Sequence, residues 1–339
     1  MIKAGVVGST GYMGIVLCGI LLRHPGVELS WVTSESFKGK KLSDVYPHLK
    51  GITDLICKEE DVPALAKTVD AVFMALPNGM SMELAPKALK AGASVIDLSA
   101  DLRLKDAKVF EQWYKMPHKS PEILKDSVYG ISELSDLKGA KVVANPGCYA
   151  TASILALKPL IDNGLIDPET IVVDAKSGVS GAGKTLTDET HFPNCNEGVS
   201  AYKVATHRHT PEIEQALGAD IKITFTPHLI PMTRGILATV YAKSRKAADE
   251  EKLTKVFRDF YKGKKFVRIL EDRLPSTKYV YGTNYCDIAI KYDARTGRII
   301  VISAIDNLMK GGSGQAVQNM NSMFGLSEGT GLDLVPVYP

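Results

Sequence analysis

The residues best placed by type and spacing to do chemistry are Cys148, His207 and His209, together with two glycine-rich loops. Cys148 follows an apolar, strand-like run, Val142-Val143-Ala144, and a backbone break at Asn145-Pro146-Gly147. A helix-compatible run covers residues 150–161. A cysteine at such a junction meets unpaired N–H groups and the positive end of a helix dipole. That favours thiolate over thiol and makes a nucleophile. The other fate of a free cysteine is a small packed hydrophobe, and the junction alone leaves both open.

An activated cysteine needs a proton partner within hydrogen-bond reach. His207-Arg208-His209-Thr210-Pro211-Glu212 opens a helix, with Thr210 as the expected N-cap and Pro211 at the first helical position. His207 is the expected acid/base and His209 the substitute, although either alone is as readily structural. His228, directly after a strand expected over residues 221–226, is the weaker third candidate. Arg103, Arg208 and Arg234 lie on expected loops and are the candidates for anionic substrate groups.

The elements that must position these groups alternate in the first half. An apolar strand over residues 1–7 runs into Gly8-Ser9-Thr10-Gly11-Tyr12-Met13-Gly14 and then a helix to Leu22. Glycines at every third position after a first strand are a variant dinucleotide fingerprint, which brings backbone N–H groups to a diphosphate. The second strand, residues 27–32, ends at Thr33 and Ser34, with Lys38, Lys40 and Lys41 close behind and Glu35 between. Two hydroxyls followed by lysines favour NADP(H) over NAD(H). Strands over 69–76, 94–98 and 141–144 complete a Rossmann-type, doubly wound parallel sheet of α/β class, with ligands at the strand carboxyl ends. Residues 104–140 read as irregular. The second half is strand-rich over 170–177, 221–226, 236–242, 267–270, 286–292 and 299–306, with an amphipathic helix near 250–262. It is expected to be an α+β domain on a mixed or antiparallel sheet.

A cysteine beside a nicotinamide points to aldehyde-level oxidoreduction. The thiolate takes an acyl group as a thioester, hydride reduces it, and the thiohemiacetal collapses to an aldehyde. Helix N–H groups would hold the oxyanion and His207 would handle the proton. Composition permits this and excludes other classes. The 339 residues are 45% apolar and 23% charged, enough for a globular core. A net charge of +3 without basic clustering argues against nucleic acid. Cysteines 18, 57, 148, 195 and 286 show neither metal nor disulfide spacing, so no metal is expected. With no leader and no run long enough for a bilayer, the chain reads as a soluble, cytoplasmic protein.

Several motifs together make the chain resemble the N-acetyl-gamma-glutamyl-phosphate reductase family of arginine biosynthesis. They are the 8–14 loop, Ala75-Leu76-Pro77, Asp97-Leu98-Ser99-Ala100-Asp101, Asn145-Pro146-Gly147-Cys148-Tyr149, residues 177–183, residues 207–212, and residues 225–235. The resemblance implies NADPH-dependent reduction of N-acetylglutamyl 5-phosphate to the 5-semialdehyde, with release of inorganic phosphate, in a homodimer or homotetramer. It makes Cys148 the nucleophile and His207 the acid/base, with His209 beside the substrate. It puts Pro77, Ser180, Gly181, Asn307 and Gly312 with residues 8–14, Thr33 and Ser34 at the cofactor. It also implies a division into residues 1–147, residues 148–310 for catalysis and oligomerisation, and residues 311–339 with a helix returning to the cofactor domain. Asn78 and Glu35 depart from the family, which commonly has histidine and a basic residue there. The competing readings are aspartate-semialdehyde dehydrogenase, a reductase of carrier-protein-bound aminoadipyl or glutamyl phosphate, and a redox sensor that binds NADP without turnover.

Overall fold

The computed structural model describes residues 1–338, which divide into two compact units. The first comprises Met1–Pro146 and Gly312–Asp333, and the second Gly147–Gly311 with the tail from Leu334 onward. The sequence reading kept that tail with the cofactor domain.

The first unit is built on seven strands: β1 (Ile2–Val7), β2 (Val27–Thr33), β3 (Cys57–Lys58), β4 (Ala71–Met74), β5 (Ser94–Asp97), β6 (Val128–Tyr129) and β7 (Val142–Ala144). Their order is β3-β2-β1-β4-β5-β7-β6, and every pairing is parallel. Val6, Val7, Val72 and Phe73 have no exposure, as expected of strands covered on both faces. The order reverses between β1 and β4, where helix Tyr12–Leu21 leaves the sheet, and open α/β sheets bind ligands at such a switch point. The irregular stretch proves to contain helix Ala107–Tyr114, capped by the Asp106 carboxylate on the Lys108 N–H and ended by Lys115 in the left-handed region (φ 56°). No glycine marks that end, so its sequence signal is weak. Helix Gly314–Met323 also belongs to this unit. Its Gln315, Gln318, Asn319 and Asn321 are fully buried because they bond within the unit; the Asn319 amide donates to the Gly130 carbonyl and to Asn145 Oδ1.

The second unit carries β8 (Val172–Gly178), β9 (Ser200–Ala201), β10 (Thr224–Ile230), β11 (Ile236–Lys243), β12 (Val267–Ile269), β13 (Cys286–Asp293) and β14 (Arg298–Ile305). The order is β12-β13-β14-β11-β8-β10-β9, with β8–β10 and β12–β13 parallel and the rest antiparallel. The sheet is therefore mixed. β10 begins and ends later than its sequence suggests and runs through Pro227. Proline is tolerated there because the neighbour on that side, β9, is two residues long and meets only His228 and Leu229. His228 consequently lies within the strand. Helix Cys148–Asp162 packs on β11 and β14 with nearly every side chain buried, which is why it reads as apolar all round. Among the described residues no helix is long and apolar enough to cross a membrane.

Candidate active site

In the first unit the loop after β1 is fastened to the end of β2. The Ser9 backbone N–H and hydroxyl both donate to the Thr33 carbonyl, at 3.0 and 2.9 Å. The Thr10 and Ser34 hydroxyls share a 2.7 Å hydrogen bond, and the Tyr46 hydroxyl donates to the Thr10 carbonyl. The three glycines serve different ends. Gly8 has φ 79°, and a β-carbon on it would lie 2.5 Å from the Ala75 carbonyl oxygen. One on Gly14 would lie 2.2 Å from the Gly8 oxygen. Gly11 would meet nothing nearer than 3.8 Å, so packing does not demand its missing side chain. The space in front of it suits a diphosphate approaching backbone N–H groups at the start of helix Tyr12–Leu21, and the loop fits a dinucleotide.

The neighbouring loops are held by side chains the sequence did not single out for that task. Asp101, fully buried, accepts from the Gly79 and Met82 N–H groups and so fixes the Pro77-Asn78-Gly79 turn. Asn78 accepts from the Ala100 N–H. Arg103 is buried, and its Nε and Nη2 donate to the Asn145 and Leu98 carbonyls. Asn145 donates in turn to the Gly312 carbonyl. This clamp holds the chain just before Pro146.

In the second unit Cys148 is the first residue of its helix, half-buried, on a Gly147 N-cap with no side-chain cap and no acidic residue in the first turn. Two fixtures position it. The Gly147 N–H donates to Glu212 Oε1 at 2.7 Å, and Glu212 is itself buried. A β-carbon on Gly311 would lie 2.8 Å from the Cys148 β-carbon, so only glycine lets that loop pass the Cys148 side chain. Neither Glu212 nor Gly311 was evident from sequence, because each acts on a partner more than sixty residues away.

The residue after Cys148, Tyr149, belongs to an aromatic cluster centred on His207. The rings of Tyr149 and His207 are 5.5 Å apart, His207 and His209 4.8 Å, Tyr202 and His207 5.6 Å, and His207 and Phe225 5.2 Å. The Tyr202 hydroxyl donates to that of Tyr149, which donates to the His228 carbonyl. Burial, with the Cys148 charge among the lesser causes, pushes both tyrosine hydroxyls up, so they stay protonated. Burial, the His209 ring and the charges of Lys203 and Arg208 push the His207 imidazole down to about 2, against a pull from Glu212. His207 Nδ1 accepts from the His209 N–H at 3.1 Å, which assigns its proton to Nε2. Helix Thr210–Leu217 starts one residue earlier than expected, with His209 as N-cap. His228 turns aside, its Nδ1 3.2 Å from an Asp174 oxygen.

Arg208 is partly exposed and close enough to His207 to act on its charge. Arg234 is committed to the fully buried Asp306, which also accepts from the Gly282, Leu308 and Met309 N–H groups. Asn307 accepts from the Gly235 N–H and donates to the Ser180 hydroxyl. Gly181 packs on the Ser177 hydroxyl. Loop 178–183 is thereby tied to the chain ahead of Gly311. Among the described residues no cluster could hold a metal ion.

Residues 3–140 match the family model described as the semialdehyde dehydrogenase NAD-binding domain, and residues 148–307 that of the semialdehyde dehydrogenase dimerisation domain. The N-acetyl-gamma-glutamyl-phosphate reductase of Desulforudis audaxviator is 54% identical over all of both chains. That of Pelotomaculum thermopropionicum is 52% identical over all of this chain and 99% of its own. Among solved structures, aspartate semialdehyde dehydrogenase II of Vibrio cholerae, complexed with ASA, superposes with a TM-score of 0.73 at 18% identity, covering 95% of this chain and 98% of its own. The Candida albicans aspartate semialdehyde dehydrogenase with NADP gives 0.70 at 16%, with the same coverage. At that identity these structures show the fold.

Proposed function

The chain belongs to the N-acetyl-gamma-glutamyl-phosphate reductase family, and from that premise we propose that it reduces N-acetylglutamyl 5-phosphate to the 5-semialdehyde through a Cys148 thioester. The observation that carries this is the uncapped helix start at Cys148, confined by Gly311 and Glu212.

The helix N-terminus stabilises the Cys148 thiolate. It attacks the acyl carbon, and phosphate leaves with the electron pair of the broken C–O bond. Arg208, partly exposed and close to His207, is the arginine assigned to the departing phosphate. Reduced NADP, when bound, supplies hydride to the thioester carbon. The resulting oxyanion is held by helix N–H groups and by the Nε2–H of neutral His207. Collapse expels the thiolate and releases the aldehyde. With its imidazole near 2, His207 serves as a neutral donor, and the helix start does most to activate the thiol.

Residues of loop 8–14, Thr33 and Ser34 would hold the dinucleotide from the first unit, with Pro77 and Gly312. The family resemblance assigns Ser180, Gly181 and Asn307 to the cofactor as well. The match to a dimerisation domain supports a homodimer or homotetramer. Aspartate-semialdehyde dehydrogenase is the weaker reading, because those structures share 16–18% identity against 52–54% for the reductases.

The test is the reverse reaction on purified protein, with N-acetylglutamate semialdehyde, NADP and phosphate. Phosphate-dependent NADPH formation is expected. Cys148→Ser should lower it on the order of a thousandfold or more while cofactor binding persists. Equal turnover of aspartate semialdehyde would overturn the substrate, and activity retained by Cys148→Ser the covalent route.

A further inference from the structure

We propose that the ribose end of the dinucleotide site barely discriminates between the 2′-phosphate of NADPH and the 2′-hydroxyl of NADH, and that Glu35 and Lys40 set this balance. The proposal rests on the reading of loop 8–14 as a dinucleotide site.

In this fold the residues just past the second strand read the ribose. An acidic side chain some twenty residues after the glycine loop accepts from a 2′-hydroxyl, and a cation there accommodates a 2′-phosphate. Glu35 stands at that place, 21 residues after Gly14, exposed, and directly after the buried Thr33 and Ser34. The hydroxyls that precede it are already occupied. Ser34 is bonded to Thr10, and Thr33 Oγ1 accepts from the Gly8 N–H at 3.4 Å.

The lysines that follow look like a phosphate site in sequence, but most are neutralised in place. Lys38 pairs with Glu59 at 2.5 Å and Lys41 with Asp54 at 2.8 Å. Lys40 lies over the Phe37 ring, 5.9 Å from its centroid. Across residues 33–60 there are five lysines (38, 40, 41, 50 and 58) and five carboxylates (35, 44, 54, 59 and 60). Glu60 is pushed up by burial and, to a lesser extent, by the charge of Glu35, so the two acids act on one another near the strand end. A dianionic 2′-phosphate would enter a region of no net charge beside two acids, with Lys40 its principal cation. One exposed ion pair contributes no more than about fivefold in affinity, and Glu35 opposes it. Glu35 can instead accept a hydrogen bond from a 2′-hydroxyl, which lifts NADH towards NADPH.

The experiment is equilibrium binding of NADPH and NADH to the full-length protein, followed by dihydronicotinamide fluorescence and checked with the fragments 2′,5′-ADP and 5′-ADP. Wild type should bind the two dinucleotides within about tenfold of one another. Glu35→Arg should raise the preference for NADPH at least about thirtyfold, by tightening NADPH and weakening NADH. Lys40→Ala should weaken NADPH several-fold, about fivefold at most, and leave NADH unchanged. Both positions are exposed, so the variants should fold, which thermal unfolding verifies. A wild-type preference above about a hundredfold, or a Glu35→Arg variant with an unchanged ratio, would overturn the proposal. If neither dinucleotide binds, the underlying reading of loop 8–14 fails as well, and that outcome is distinct from binding with strong discrimination.

Discussion

Helix Tyr12–Leu21 in the first unit and helix Cys148–Asp162 in the second both begin on a glycine N-cap, Gly11 and Gly147, with no side-chain cap and no acidic first turn. Helices Ala107–Tyr114 and Glu250–Phe260 are closed instead by Asp106 and Asp249, whose carboxylates accept from first-turn N–H groups. A carboxylate at a helix start satisfies orphan donors and suits the dipole. Its absence at these two starts leaves donors and partial positive charge for something else: under the proposed function, a diphosphate at the first and a thiolate and oxyanion at the second. The two starts differ in what surrounds the glycine. Gly11 faces open space, whereas the Cys148 start is pressed by Gly311 and tethered by Glu212. A bound ligand needs room, and a reacting sulfur needs a fixed position.

Filling each start should therefore fail in a different way. Gly311→Ala puts a methyl group 2.8 Å from the Cys148 β-carbon. Displacing the nucleophile should lower kcat on the order of a hundredfold. NADPH affinity, measured by fluorescence titration, should not change. Should kcat stay near wild type, Gly311 would be a passive turn residue. Gly11→Ala has no clash within the protein, its nearest contact lying at 3.8 Å. It should leave thermal stability unaltered and raise the NADPH dissociation constant about tenfold. An unchanged dissociation constant would mean the space before Gly11 is not where the diphosphate lies.

The two starts differ again in how far sequence revealed them. Loop 8–14 was legible because a local pattern of strand, glycines and helix states its own purpose. Cys148 was legible as a candidate for the same reason. Its environment was not. Gly311 and Glu212 matter through contacts with chain far away in sequence. Arg103 looked like a substrate arginine on a loop, yet its guanidinium holds the Asn145 and Leu98 carbonyls. Most strands followed from apolar runs. Helix Ala107–Tyr114 did not, because a left-handed lysine ends it in place of glycine. Tertiary packing also carried β10 through Pro227, where propensity would stop it.

The histidine packed on Tyr149 gives a comparison by pH. Unfolded His207 takes up a proton near its ordinary 6.5, while in the folded protein it does so only near 2. Between those values the unfolded state binds the extra proton, so stability falls as pH drops below about 6.5, by about 1.4 kcal/mol per pH unit for this group. Denaturant midpoints of wild type and His207→Gln, compared between pH 7 and pH 4, should show a shallower loss in the variant. Parallel curves would mean that folded His207 takes up its proton near the ordinary 6.5, and the strongly depressed imidazole would be ruled out.

The smallest effect is expected at a helix start that does no chemistry. Asp106→Ala removes the carboxylate that accepts from the Lys108 N–H at 2.8 Å. The helix would then begin as bare as the two working ones. Loss of an N-cap costs about 1 kcal/mol, read as a lower denaturant midpoint, and water can satisfy the freed donors because the site is exposed. Turnover and NADPH affinity should both hold. If Asp106→Ala lowered either as much as the Gly11 or Gly311 substitutions, bare helix starts would be a general feature of this chain's stability. An effect confined to stability means instead that the bare starts at Gly11 and Gly147 serve anions rather than stability.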